Sequence, residues 1–358
     1  MRQSSAKGLQ SKSASAMHGG MTLPSMMNAI AITAPGGPEM LQLRPLARPE
    51  PASGEVLIRV AAAGVNGPDL AQRAGFYDPP PGASPLPGLE VAGEIAALGA
   101  GATHWQLGQK VMALANGGGY ADYVAVPEGQ VLPVPEGWAL PEAAALPETW
   151  FTVTQTLVMR AGLAPGMTVL AHGASGGIGG AVIQIATLLG ARAIGVVSSP
   201  EKAAYARRLG AFATIDYTRE DIALKARELT DGRGVDRVVD VVGGAMAAIN
   251  VAACARGGHI LQVSTLGGGK ASLPLREMMA REITLSGSTL RPQTSATKAA
   301  IAARIGADLL PGLSRPDFEK PEIRVFPLAE AAAAHAAMEA RGHWGKLVLV
   351  TDFGAQER

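Results

Sequence analysis

The 358 residues carry 31 Lys and Arg against 30 Asp and Glu, and a net charge of +1 gives no reason to expect a nucleic acid or an anionic membrane as partner. Apolar residues make up 47% and charged residues 17%, which is material for buried cores, and the length suits two domains. A single cysteine, Cys254, excludes an intrachain disulfide and a four-cysteine zinc lobe and favours a reducing, cytoplasmic compartment.

Residues 1–26 are rich in Ser, Gly, Lys, Gln and Met without periodicity and read as a disordered extension. A mitochondrial presequence is the weaker alternative, since Arg2, Lys7 and Lys12 come without acids but also without an amphipathic pattern. Residues 27–150 read as a β-rich domain. Ala29–Ile32 precedes the turn Pro35-Gly36-Gly37-Pro38, Glu55–Val60 alternates and ends at Gly64, and Val91–Leu98 and Lys110–Leu114 follow as strands. The loop Tyr77-Asp78-Pro79-Pro80-Pro81-Gly82 is stiffened by its prolines.

From about Phe151 to residue 290 the pattern changes. Strands are predicted at Thr168–His172, Ala193–Val197, Thr214–Asp216, Arg237–Val241 and His259–Ser264. Helices are predicted at Ile178–Leu189, Pro200–Leu209, Arg219–Thr230 and Ala245–Ala255. Strand alternating with helix implies an α/β fold, a doubly wound parallel sheet with right-handed crossovers. In residues 291–358 a helix from Ser295, the strand Ile323–Phe326, the helix Ala329–Ala340 and the strand Lys346–Val350 suggest a return to the first domain.

His172-Gly173-Ala174-Ser175-Gly176-Gly177-Ile178-Gly179 lies where the first parallel strand meets its helix. Glycines there let the backbone and the helix N–H groups approach a pyrophosphate, and the strand–helix context lifts the motif above a merely tight turn. An NAD site places an acid at the tip of the second strand. Here the tip reads Ser198-Ser199-Pro200-Glu201-Lys202, with Glu201 inside the next helix. Hydroxyls and a cation suit a 2′-phosphate, so NADPH is the expected cofactor. Ser199 also fits as the cap of the following helix.

Several motifs resemble the zinc-independent quinone oxidoreductases of the medium-chain dehydrogenase/reductase superfamily. They are Ala62-Ala63-Gly64-Val65-Asn66, Asp69, Arg73, Gly75, Tyr77, Gly88-Leu89-Glu90 and Gly93. Ala71 to Ser84, Pro147-Glu148, Trp150 and Gly345-Lys346 are similar to mammalian members in particular, and the resemblance runs from about Met27 to Val350. It implies a GroES-like catalytic domain, a Rossmann domain and a homodimer paired through a sheet edge. Zinc-dependent relatives place a Cys where this chain has Asn66 and a His where it has Leu89, neither of which is replaced by a good ligand. The histidines at 18, 104, 172, 259, 335 and 343 form no i, i+4 pair, so no metal is expected.

Residue by residue, the resemblance sets Asn66 and Thr152 near the nicotinamide carboxamide and ribose, and Gly176, Gly177, Ile178 and Gly179 at the pyrophosphate. It sets Ser199, Lys202 and Tyr217 around the 2′-phosphate, Val263 and Ser264 under the nicotinamide, and Tyr77 facing the acceptor. Two departures stand out: Ala71 where some relatives have a second tyrosine, and Gly176 where a mammalian member has a serine. Without zinc, an acceptor carbonyl must be polarised by hydrogen bonds, which a quinone or enone tolerates because its anion is delocalised. Tyr77 and Asn66 are the candidate catalytic residues, although Tyr77 also reads as a loop residue packed on prolines, Asn66 as a turn cap and Tyr217 as an edge tyrosine. The leading reading is an NADPH:quinone oxidoreductase. The alternatives are a reductase of enone or enoyl-thioester C=C bonds and a non-enzymatic NADPH-binding protein.

Overall fold

The computed structural model describes residues 23–356. One sheet has seven strands in the spatial order Ile323–Pro327, Lys346–Val350, Glu55–Val65, Glu90–Leu98, Lys110–Leu114 and Val131–Pro133, with Tyr123–Pro127 also paired to Glu55–Val65. The strand Glu55–Val65 is its centre. Val56, Ile58 and Val60 point to one apolar core, and beyond an irregularity between Val60 and Ala62 the same core takes Ala63 and Val65. Such a bulge adds one residue and reverses the parity of a period-two strand. Here it brings Gly64 round to the side chain of Glu90 on the neighbouring strand.

The second sheet is wholly parallel, in the order Ala213–Asp216, Arg192–Val197, Thr168–Ala171, Val235–Asp240, Cys254–Gln262 and Thr284–Gly287. Its chain order reverses between Thr168–Ala171 and Val235–Asp240. A crevice therefore opens at the carboxyl ends of those two strands, where doubly wound sheets take ligands. Helices cover both faces, so the inner strands are almost continuously apolar and buried. The helix Gly177–Leu188 is itself buried from Gly179 through Ala186. Among the described residues no helix is long and apolar enough to cross a membrane.

Several expected boundaries move. The strand Met26–Ile32 begins inside the segment expected to be a disordered extension, and residues 1–22 of that segment lie outside the described residues. The helix expected over Arg219–Thr230 starts at Ile222, because the carboxylate of Asp221 accepts from the Leu224 amide at 2.9 Å and caps it there. The helix expected over Ala245–Ala255 ends at Ala253. Cys254 turns extended and opens a strand that runs to Gln262 rather than Ser264. The pair Gly257-Gly258 disguised the first half of that strand. The glycine-rich helix begins at Gly177, one residue before the expected start.

Candidate active site

Gly176 caps the helix Gly177–Leu188 with extended backbone and no side chain, so the N–H groups of Gly177, Ile178 and Gly179 have no intrahelical partner. A Cβ at Gly179 would lie 2.3 Å from the Gly173 carbonyl, so only glycine lets helix and turn close on each other. A Cβ at Gly177 would press on the Lys346 side chain at 2.9 Å and on Thr149 at 3.0 Å. Gly176 has room, its nearest neighbour being 3.4 Å away. This is a cradle of open donors at the positive end of a three-turn helix, and it fits the pyrophosphate of a dinucleotide.

At the tip of the next strand, Ser199 caps the helix Pro200–Arg208, its hydroxyl accepting from the Lys202 amide at 3.3 Å. Lys202 reaches back with Nζ to the Ser198 hydroxyl at 3.3 Å. Tyr217 follows the adjacent strand, donates its backbone N–H to the Val197 carbonyl and leaves its ring 54% exposed. Ser199, Lys202 and Tyr217 are thus brought to one sheet corner. Two neighbours were not anticipated. Glu201 turns its carboxylate onto Ser199, whose hydroxyl holds the acid below its ordinary range. Burial first, and then the charges of Lys202, Arg324 and Lys346, lower the pKa of His343, whose buried Nδ1 has no partner.

Val263 and Ser264 lie just past the strand Cys254–Gln262. Val263 donates to the Asp240 carbonyl at 2.9 Å, and the Ser264 carbonyl accepts from Gln262 at 2.6 Å. Thr152 sits near the end of the helix Pro147–Val153, where the chain loosens into a π-helical stretch, Thr154–Arg160. Its carbonyl accepts from the Thr156 hydroxyl at 2.7 Å.

Asn66 precedes the helix Gly67–Arg73, but its side chain does not cap it. The reverse half of a capping box is present instead, the Asp69 carboxylate accepting from the Asn66 amide at 2.9 Å and from Gly88 at 2.9 Å. Burial raises the Asp69 pKa to about 6 against those two bonds. The freed Asn66 amide group donates to Glu90 Oε1 at 2.8 Å and accepts from Lys346 Nζ at 2.5 Å. Lys346 also pairs with Glu90 Oε1 at 2.6 Å, with both side chains at most 5% exposed. Gly64 makes room for this triad, since a Cβ there would lie 1.9 Å from Glu90 Oε1. The aliphatic part of Lys346 runs beside Gly177 while its ammonium ends on Asn66 and Glu90, so one side chain joins the glycine cradle to the buried polar triad.

Beyond that triad lies a second group. The amide of Glu148 donates to Glu90 Oε2 at 2.8 Å. Its carboxyl is pushed up to about 8, by burial first and then by Glu90 and Asp69, against the pull of Lys346 and Lys298. Arg291 lies 5.5 Å from the Tyr77 ring centre and donates twice to the Asn116 carbonyl, leaving Nη1 buried and unpartnered. Lys298 is locked onto Asn116 Oδ1 and the Arg291 carbonyl, and burial lowers its pKa to about 8. Tyr77 is half-buried. Its phenol is raised by burial and by Glu148, so it stays a proton-bearing donor at neutral pH.

Residues 52–136 match the family model of the alcohol dehydrogenase GroES-like domain, and residues 177–308 that of the zinc-binding dehydrogenases. A quinone oxidoreductase of Pseudomonas aeruginosa is 36% identical over 336 residues, which cover 91% of this chain and 100% of that protein. The chain belongs to the quinone oxidoreductases of the medium-chain dehydrogenase/reductase superfamily. Two solved structures align along almost their whole length. A mycobacterial relative determined with NADPH is 31% identical with a TM-score of 0.78, covering 90% of this chain and 100% of that one. The CurK enoyl reductase is 26% identical with a TM-score of 0.79, covering 92% and 100%.

Within this family, the α/β architecture of a GroES-like domain and a Rossmann domain is the fold described above. The residues missed by sequence reasoning are Glu90, Lys346, Glu148, Arg291, Lys298 and His343. Glu90, Glu148 and Lys346 stood inside motifs that carried the family resemblance. The signal that could have raised them is the rarity of buried Glu and Lys without an opposite charge, but the partners are too far apart in sequence to be paired by eye.

Proposed function

We propose that the chain is an NADPH-dependent, metal-independent reductase that delivers hydride to quinones or related conjugated carbonyl compounds. The observation that carries this reading is Lys346, which lies against Gly177 of the phosphate cradle and ends between Asn66 and Glu90. The ammonium pairs with Glu90 and Asn66 beside positions 66 and 89, where zinc-dependent relatives place Cys and His ligands and this chain has Asn and Leu, so a cation of the protein itself stands among these groups.

NADPH, when bound, supplies a hydride at its nicotinamide ring. The residues that would hold it are Gly176, Gly177, Ile178 and Gly179 at the pyrophosphate, and Ser199, Lys202 and Tyr217 at the 2′-phosphate. Asn66, Thr152, Val263 and Ser264 take the nicotinamide end. Tyr77 faces the acceptor, its phenol donating to the oxygen on which negative charge develops, an effect commonly worth a few kcal/mol. Because a quinone's anion is delocalised, hydrogen bonds rather than a metal suffice to stabilise its developing charge.

The outer strand Thr284–Gly287 has no partner on its far side in the described chain, and Leu285, Leu275 and Met279 near it are exposed, which supports pairing of two copies through that edge. Light scattering should return the mass of a dimer.

The test of function is loss of NADPH absorbance with benzoquinone, before and after prolonged chelation, with elemental analysis of the purified protein. Turnover that survives chelation without stoichiometric zinc is the expected result, and one zinc per chain would end the metal-free reading. A second reading, reduction of an enoyl C=C bond, draws on the likeness to an enoyl reductase. Faster turnover of a crotonyl thioester than of benzoquinone would favour it.

A further inference from the structure

Reducing a quinone to a hydroquinone takes a proton as well as a hydride, and neither Tyr77 nor the Asn66–Glu90–Lys346 triad has one to give and readily regain. Tyr77 is a very weak acid, and Lys346 is tied to two acceptors. The second cluster is different. Among the described residues, the Glu148 carboxyl and the Tyr77 hydroxyl make no hydrogen bond, and Arg291 Nη1 is a buried donor with nothing to meet. A buried donor without a partner, such as Arg291 Nη1, is rare in native proteins and marks a place where a ligand supplies one, and the half-buried Glu148 and Tyr77 side chains are open to the same ligand. Arg291 lies 5.5 Å from the Tyr77 ring centre, its carbonyl accepts from Lys298 at 2.8 Å, and the Glu148 backbone is fixed on Glu90 at 2.8 Å, an arrangement in which the charge of Glu148 also acts on Tyr77 and Arg291.

We propose that Glu148 is the proton donor of the reaction, a carboxylic acid held beside the acceptor by its backbone bond to Glu90, with Arg291 Nη1 and the Tyr77 hydroxyl receiving the acceptor's oxygens. This rests on the quinone reductase reading above. Hydride arriving at the quinone leaves a hydroquinone monoanion. The O–H bond of Glu148 then breaks, its proton forms the new O–H bond of the hydroquinone, and the carboxylate left behind is reprotonated from water. Two electrons and one proton enter as hydride and one proton as acid, so quinone, NADPH and a proton give hydroquinone and NADP+.

The surroundings keep the acid charged with its proton. Glu90, on the strand Glu90–Leu98, and Asp69, on the helix Gly67–Arg73, oppose its ionisation. Lys346, on the strand Lys346–Val350, and Lys298, on the helix Ser295–Asp308, favour it, but both are engaged elsewhere, on Asn66 and Glu90 and on Asn116. Arg291 and Tyr77 close the ring of groups that face it. With a pKa of about 8 the side chain is mostly protonated at neutral pH yet quick to exchange, which is what general-acid chemistry asks of a donor.

The experiment compares the full-length protein with Glu148→Gln and Glu148→Asp. Infrared titration without cofactor should show a carboxylic acid C=O band at pH 7 that fades near pH 8 and is missing in Glu148→Gln. Asp69, with its pKa of about 6, is mostly ionised there and does not obscure the band. NADPH affinity should be unchanged, which also shows that the variant is folded. Wild-type benzoquinone reduction should decline as pH rises through about 8. Glu148→Gln should lose about a hundredfold in kcat together with that limb of the profile, and Glu148→Asp should recover part of both. No acid band at pH 7, or a Gln variant with wild-type rate and profile, overturns the proposal. A wild-type protein that binds NADPH but reduces no quinone overturns the functional reading, and the donor role with it.

Discussion

Lys346 Nζ lies 2.6 Å from Glu90 Oε1, a salt bridge sealed from solvent between two strands on either side of Glu55–Val65. Its two ends are not equivalent. Glu90 has two further donors, from Asn66 and the Glu148 amide, whereas Lys346 has only Asn66 besides. Removing the cation while leaving the carboxylate buried should cost about 3–5 kcal/mol. Lys346→Met should therefore lower Tm clearly, and Lys346→Met combined with Glu90→Gln should recover a large part of the loss. Denaturant melts of the two variants check this, and a double variant less stable than the single one would show that the pair is not the main partner of either residue.

The phosphate turn makes a sharper prediction, because its glycines are not equivalent. Gly176→Ser should fold and bind NADPH nearly as well as the wild type, since a Cβ there meets nothing closer than 3.4 Å. Gly179→Ala should lose roughly 1–3 kcal/mol of stability, the scale of overpacking a tight site, and most of its cofactor affinity. Calorimetric titration with NADPH separates the two, and equal tolerance at both positions would mean that the turn can open.

At the adenosine end, Lys202→Ala should weaken NADPH by roughly 1–3 kcal/mol, the scale of a charge-assisted hydrogen bond, and leave NADH nearly unchanged. Lysine is the cleaner probe than Ser199, whose loss would also uncap the helix Pro200–Arg208. An equal loss for both cofactors would make Lys202 structural. The Glu201 carboxylate beside Ser199 must swing aside for a 2′-phosphate, so Glu201→Gln should tighten NADPH and not NADH.

Tyr77→Phe should lower kcat for quinones roughly ten- to a hundredfold without changing NADPH affinity, since a delocalised anion needs less help than an alkoxide. Tyr77→Ala should be worse, because the ring stacked under Arg291 goes as well. Steady-state kinetics with several quinones decide it. Full turnover of the Phe variant on every one would leave the ring a packing role only.

The parts legible in the sequence were those whose cause is local. A strand, a glycine turn and a helix are consecutive at Thr168 to Leu188, and the bounds of the strand Lys346–Val350 follow from its unbroken apolar run. Asn66 and Leu89 were readable as departures from the zinc-dependent pattern because each is a single residue type at one position. Asn66 and Lys346 are 280 residues apart, and Arg73 and His335, hydrogen-bonded at 3.3 Å, are 262 apart. No local pattern encodes such meetings; they follow from sheet register, Val348 opposite Gly64 and Ala92 opposite Ala62. The side chain of Asn66 was equally readable as a cap, and only the approach of Glu90 and Lys346 turns it away from that task.

The missing side chain at Gly64 has a consequence for how this site can change. A methyl group at that position would displace the Glu90 carboxylate from Asn66, from Lys346 and from the Glu148 amide at once. A side chain at position 64 therefore strands both charges of the pair at once, so this glycine and the ion pair beside it can change only together.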